Sequence, residues 1–169
     1  MRTIIRGIEF ITEWTGRSVS WVCVALVLVL CYEVLMRYVF NSPTSFVHEL
    51  STMLGGTIAA LGWAYTHRYH GHVRVDVIYT HLSPRGKAFV DVLLTLLLFF
   101  PLLAILIKNS AESTLFAIKM GEVLRASFWY PPAWPIKMVM LLGLSLFAFQ
   151  GMAHFIRDIY RLVKDKPYD

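Results

Sequence analysis

Four long apolar stretches separated by polar joints organise the chain: 20–40, 46–65, 88–107 and 136–156. Each approaches the roughly 20 residues that carry a helix across a hydrocarbon core about 30 Å thick. The pattern predicts an all-α integral membrane protein, one domain over residues 1–169 with four transmembrane helices. Ahead of the first span, Arg6, Glu9, Glu13 and Arg17 recur at helical spacing, and Ile4, Ile8, Ile11 and Trp14 take another face. That segment reads as an amphipathic interfacial helix or as an extension of the first span, with Glu13 and Arg17 in the favourable i, i+4 order.

The joints carry recognisable turn chemistry. In Asn41-Ser42-Pro43-Thr44-Ser45, Pro43 disfavours helix at Ser42, and Thr44 or Ser45 is expected to cap the second helix. Glu49 then falls in its first turn, where the helix dipole tolerates an anion. Gly55, Gly56, Ala59, Ala60 and Gly62 give that helix a small-residue face suited to close packing. Ser83-Pro84 reads as N-cap and first residue of the third helix.

Helical sequence can continue from Arg85 to about Ser127, roughly 65 Å or twice the hydrocarbon thickness, with Pro101 as the expected kink. Past Lys108 the pattern turns amphipathic, which predicts a second interfacial segment along or just above the outer surface. The aromatic run Phe128 to Pro135 then marks the membrane interface before the fourth span.

Composition agrees with the pattern: 57% of residues are hydrophobic and only 16% charged, too apolar for a soluble domain of 169 residues. The formal charge of +5 lies around the spans, which argues for topology and against nucleic acid. The N-terminus, the second connection and the C-tail hold 11 of the 16 Lys and Arg, so the positive-inside bias puts both termini in the cytoplasm. The first apolar stretch is too long, and lacks the small-residue cleavage pattern, for a secretory signal. Cys23 and Cys31 both lie inside it and point to neither a disulfide nor a metal site.

Ionisable residues near spans need a reason, because each costs about 2.5–3.5 kcal/mol near a helix centre on insertion scales. Glu33 and Arg37 are spaced as a self-neutralising i, i+4 pair, and Glu33 alone is open to a second reading as a proton or substrate site. His48 and Glu49 open the second span across the turn, so an Arg37–Glu49 bridge is expected to set how the two helices cross. His67, His70, His72 and His81 match no zinc pattern and can simply meet lipid phosphates. His48 and His154 fall near opposite ends of their helices, badly placed for one haem. With no nucleotide or nucleophile motif present, no enzyme and no cofactor are expected.

RYVFNSP-x-S-x-x-x-E-L-S across Arg37–Ser51, HGHVRVDV across His70–Val77, LSPRG before the third span and Trp134-Pro135 opening the fourth occur in one order. Together they resemble the small, DctQ-like membrane subunit of the tripartite ATP-independent periplasmic (TRAP) transporters, over nearly the whole chain. The resemblance implies a multi-pass protein of the bacterial inner membrane, joined to a large membrane subunit and a soluble periplasmic binding protein. It implies sodium-coupled uptake of organic acids, with substrate and sodium on the large subunit and this chain widening its static scaffold. Arg37, Asn41, Glu49, His72, Arg74 and Asp76 match the family motif, and with Glu33, His48, Trp134 and Pro135 they are the expected structural or subunit-contact residues. Phospholipids are the other expected partner. Two other classes stay open: a small proton-coupled multidrug exporter working through Glu33, which Gly62-Trp63 superficially resembles, and a haem-bearing anchor of a redox complex.

Overall fold

The computed structural model describes residues 2–69, 71 and 83–164. Its elements are α1 (Arg2–Tyr38), α2 (Val47–Arg68), α3 (Pro84–Leu94), a π-helical turn (Thr95–Phe99), α4 (Phe100–Met120) and α5 (Trp134–Lys164). One isolated antiparallel bridge, Val123 to Pro132, closes the loop between α4 and α5.

The N-terminal amphipathic segment is no separate element, because it runs without a break into the first apolar stretch as a 37-residue helix, about 55 Å long. Ser83 caps α3 as expected, its Oγ accepting from the Gly86 N–H at 3.2 Å with Pro84 at the first helical position. The expected kink takes a defined form: Pro101 has no N–H, and its ring would clash with the carbonyl four residues back. The chain widens to the π turn just before it, where the Phe100 N–H bonds the Thr95 carbonyl. Helix then continues to Met120 and stops at Gly121, which takes the left-handed φ of 60° that glycine tolerates. The third rod is thus shorter than the Arg85–Ser127 expectation, and the amphipathic part beyond Lys108 is the continuation of that rod.

The helices form an open layer. α2 and α5 pack together in the middle, α1 lies against α2, and α3–α4 lie against α5, while α1 also meets α5. Small residues set the seams. A Cβ on Gly143 would stand 2.4 Å from the Ala60 carbonyl oxygen, so α5 approaches the backbone of α2. Gly16 of α1 receives the Tyr65 ring, and Gly151 of α5 receives Phe99 from the π turn. The small face of α2 divides accordingly: Gly56 and Ala60 meet α5, whereas Gly55 and Gly62 have no neighbouring atom within 4 Å of a Cβ.

Among the described residues, three helices are long and apolar enough to cross a membrane: Ile5–Tyr38, Gly86–Met120 and Trp134–Val163. α2 is long enough at 22 residues, about 33 Å, but less apolar. Only 6% of the apolar window is buried in each of the two flanking rods, against 28% in α5, so the flanks offer their side chains to lipid or to another protein.

Candidate functional site

At the end of the layer where α1 turns into α2, Glu33 is the organising residue. Its Oε1 accepts from Arg37 Nε at 3.1 Å and Nη2 at 2.7 Å, and its Oε2 accepts from the Thr44 N–H at 3.3 Å and from the Thr44 hydroxyl. Both carboxylate oxygens are engaged and the side chain is 11% exposed. Thr44 therefore caps a neighbouring carboxylate instead of α2, whose N-cap position is Phe46 with no side-chain cap. Asn41 turns the chain with a φ of 53°, in the left-handed region where asparagine is among the tolerated residues.

The expected Arg37–Glu49 bridge does not form, since Arg37 is held on its own helix by Glu33. Glu49 is buried and reaches the other way, its Oε1 accepting from the Ser127 N–H at 2.8 Å. Its other oxygen finds no partner among the described residues. The bond fixes the α4–α5 loop over the start of α2, and Phe46 meets Trp129 edge to face at 6.1 Å beside it. His48 is exposed. Trp134 and Pro135 open α5, where Lys137 Nζ binds Glu122 Oε2 at 2.5 Å and ties the end of α4 to α5. His72, Arg74 and Asp76 lie outside the described residues.

The opposite end of α2 carries a second set that sequence reasoning did not assemble. Arg68 Nη1 donates to the Glu9 carbonyl at 2.5 Å and pairs with Glu13 Oε2 at 3.0 Å, and the Tyr69 hydroxyl donates to the same oxygen at 2.6 Å. Arg17 pairs with Glu13 at 3.2 Å, and Arg157 of α5 pairs with Glu9 at 2.5 Å. Just inside, Thr12 donates to Gln150 Oε1 at 3.3 Å, and His67 and His154 meet ring to ring at 4.8 Å. Three helices are thus joined by charge-assisted bonds, each worth more than a neutral one because an ion is a partner. The Tyr69 phenol is held above the usual tyrosine range by its bond to Glu13, since ionising it would break that bond beside an anion. The signal available in the sequence was the 4-residue spacing of Glu9 and Glu13; that they reach Arg68 and Arg157 depends on packing.

Chemically, both sets hold helices. Among the described residues no group of three His, Cys, Asp or Glu side chains is arranged to hold a metal ion. Cys23 and Cys31 are free and exposed. Residues 26–161 match the family model described as tripartite ATP-independent periplasmic transporters, DctQ component. No curated protein matches the chain.

Proposed function

Because the chain belongs to the DctQ-component family of the tripartite ATP-independent periplasmic transporters, we propose that it is the non-catalytic scaffold subunit of a sodium-coupled importer of organic acids. In this reading it spans the bacterial inner membrane four times with both termini in the cytoplasm, and α2 supplies the fourth span inside the layer. A large membrane subunit carries substrate and sodium, a soluble periplasmic protein delivers the substrate, and no cofactor resides on this chain.

The observation that carries the proposal is the layer itself, pinned at both ends by ion pairs yet with its two flanking rods almost wholly uncovered. Such a layer adds a broad, stiff, apolar edge to whatever it joins. A transporter that slides one part past another needs a stationary part that does not rock, and added hydrophobic width in the bilayer resists rocking. Glu33 is fully engaged by Arg37 and Thr44, which supports a structural role for it over proton exchange.

The test is co-purification of the tagged chain with a large membrane subunit from its own genome, followed by substrate uptake in proteoliposomes with and without this chain. Stable association and loss of sodium-driven uptake on its omission are expected. A chain that purifies alone, with uptake indifferent to it, overturns the proposal.

A further inference from the structure

Each helix carries one run free of Asp, Glu, Lys, Arg and His, of similar length: Ser18–Tyr32, Leu50–Thr66, Val92–Ile107 and Met138–Ala153, of 15, 17, 16 and 16 residues. In an upright layer these runs would lie side by side. They do not. Their midpoints are close to Ala25, Ile58, Phe99 and Ser145.

The seams place those midpoints along α2. Gly16 lies under Tyr65, so nine residues further along each antiparallel helix bring Ala25 level with Gly56. Gly143 touches Ala60, which sets Ser145 level with about Gly62. Phe99 stacks on His67 at 5.6 Å, beside Arg68 and the ion-pair belt. From α1 through α2 and α5 to the third rod, the midpoints thus fall at Gly56, Ile58, about Gly62 and His67, a steady drift of roughly 16 Å at the helical rise. The charges bounding the runs drift in the same sense: Glu33 and Arg37 of α1 sit by Thr44 at the start of α2. Lys137 bounds the α5 run one residue past Ile136, which contacts Gly56.

We infer that the layer leans within its own plane, so that the lipid meets an oblique belt around it and the helices stand roughly 30° from the membrane normal. The angle follows from about 16 Å of drift over three helix spacings of about 9 Å each. A lean of this size brings all four uncharged runs to one depth and keeps Arg17, Asp91 and Lys108 at the hydrocarbon boundaries, where charged groups are tolerated. It is within the range seen for membrane helices. The lean shortens the vertical reach of the long helices by only about an eighth, so α4 beyond Lys108 still emerges into the interface on one side and α1 before Arg17 on the other.

Depth measurements decide between leaning and upright layers. Single nitroxide labels at Val24→Cys, Leu98→Cys and Trp14→Cys, all exposed positions, are read in the full chain in phosphatidylcholine vesicles, with Cys23 and Cys31 replaced by alanine. Trp14 is level with Phe99 along the helix axes, and Val24 is one residue from its own run's midpoint. The leaning layer puts the Val24 and Leu98 labels at one depth near the bilayer centre and the Trp14 label about 15 Å shallower. Equal depths for Trp14 and Leu98, with Val24 displaced to the opposite interface, overturn the inference. Polarised infrared dichroism of the unsubstituted chain in oriented bilayers checks it without any label: a mean helix tilt near 30° is expected, and one below about 10° is incompatible with the lean.

Discussion

Replacing Gly143 by alanine probes the seam on which the middle of the layer depends. The added Cβ would stand 2.4 Å from the Ala60 carbonyl oxygen, 2.6 Å from its carbon and 3.0 Å from its Cβ. These are backbone atoms or bound directly to backbone, so none can rotate aside. Ordinary contact begins near 3.4 Å, and α2 and α5 must therefore part by about 1 Å along a close-packed seam. Overpacking of this kind costs about 1–3 kcal/mol, against a gain of about 0.5–1 kcal/mol in helix propensity from removing a glycine. The net expectation is destabilisation of roughly 1–2 kcal/mol. Gly55→Ala is the matched control: no atom lies within 4 Å of its new Cβ, so the propensity gain stands alone and the variant is neutral or slightly stabilised. Thermal unfolding of both variants in one detergent, followed by size exclusion and tryptophan emission, reads the difference. If Gly55→Ala loses more stability than Gly143→Ala, the placement of the seam is wrong.

Glu49→Ala removes the only described partner of the Ser127 N–H, a charge-assisted bond worth about 1.5–3 kcal/mol; faster amide exchange over Ser127–Tyr130 is expected, with Glu49→Gln intermediate, and unchanged exchange in both would refute the bond. Arg157→Ala strands Glu9 beside Arg68, and a double-mutant cycle with Glu9→Gln should show coupling above about 0.5 kcal/mol; additive effects would mean the belt does not join α5 to α1. The raised phenol of Tyr69 contributes its stability in full below the unfolded value of about 10 and loses it only as pH climbs through the folded one. The stability gap between the parent chain and Tyr69→Phe should therefore hold constant from about pH 6 to 9 and narrow above about 10; narrowing within that pH 6 to 9 window would point to a different partner.

The helices were largely legible because apolar run length and turn residues act locally. Ser83-Pro84 caps α3 as its dipeptide announces, and Glu33 with Arg37 pairs within one turn of helix. Apart from the end of the third rod, where Gly121 stops the helix locally, the failures are long-range. The turn between α1 and α2 suggests Arg37 as the partner of Glu49, but Arg37 pairs with Glu33 on its own helix, and Glu49 accepts instead from a backbone N–H 78 residues away. Thr44 reads as a cap by position, yet the buried Glu33 carboxylate takes both its N–H and its hydroxyl. The belt of Glu9, Glu13, Arg68, Tyr69 and Arg157 was invisible for the same reason: its members are distributed over three helices, and each alone reads as a flanking charge. Pro101 announced a distortion, but only packing of Phe99 against Gly151 and His67 shows which face the widened turn presents.

The spatial order of the layer differs from the order of synthesis. Ribosomes deliver the chain from its N-terminus, and segments made first can pair first. Here α1 and α2 have each other as neighbours at once, while the third rod arrives with its natural neighbour, α5, not yet made. α5 follows the third rod and takes the central place between it and α2. Assembly is therefore gated by α5: a nascent chain halted in the loop before Trp134 holds an early hairpin and a rod joined to it by little more than the His67–Phe99 contact. Membrane quality control that removes unpaired helices would see this intermediate in every round of synthesis, and mutations along the buried face of α5 would reduce the amount of protein before they touch its performance.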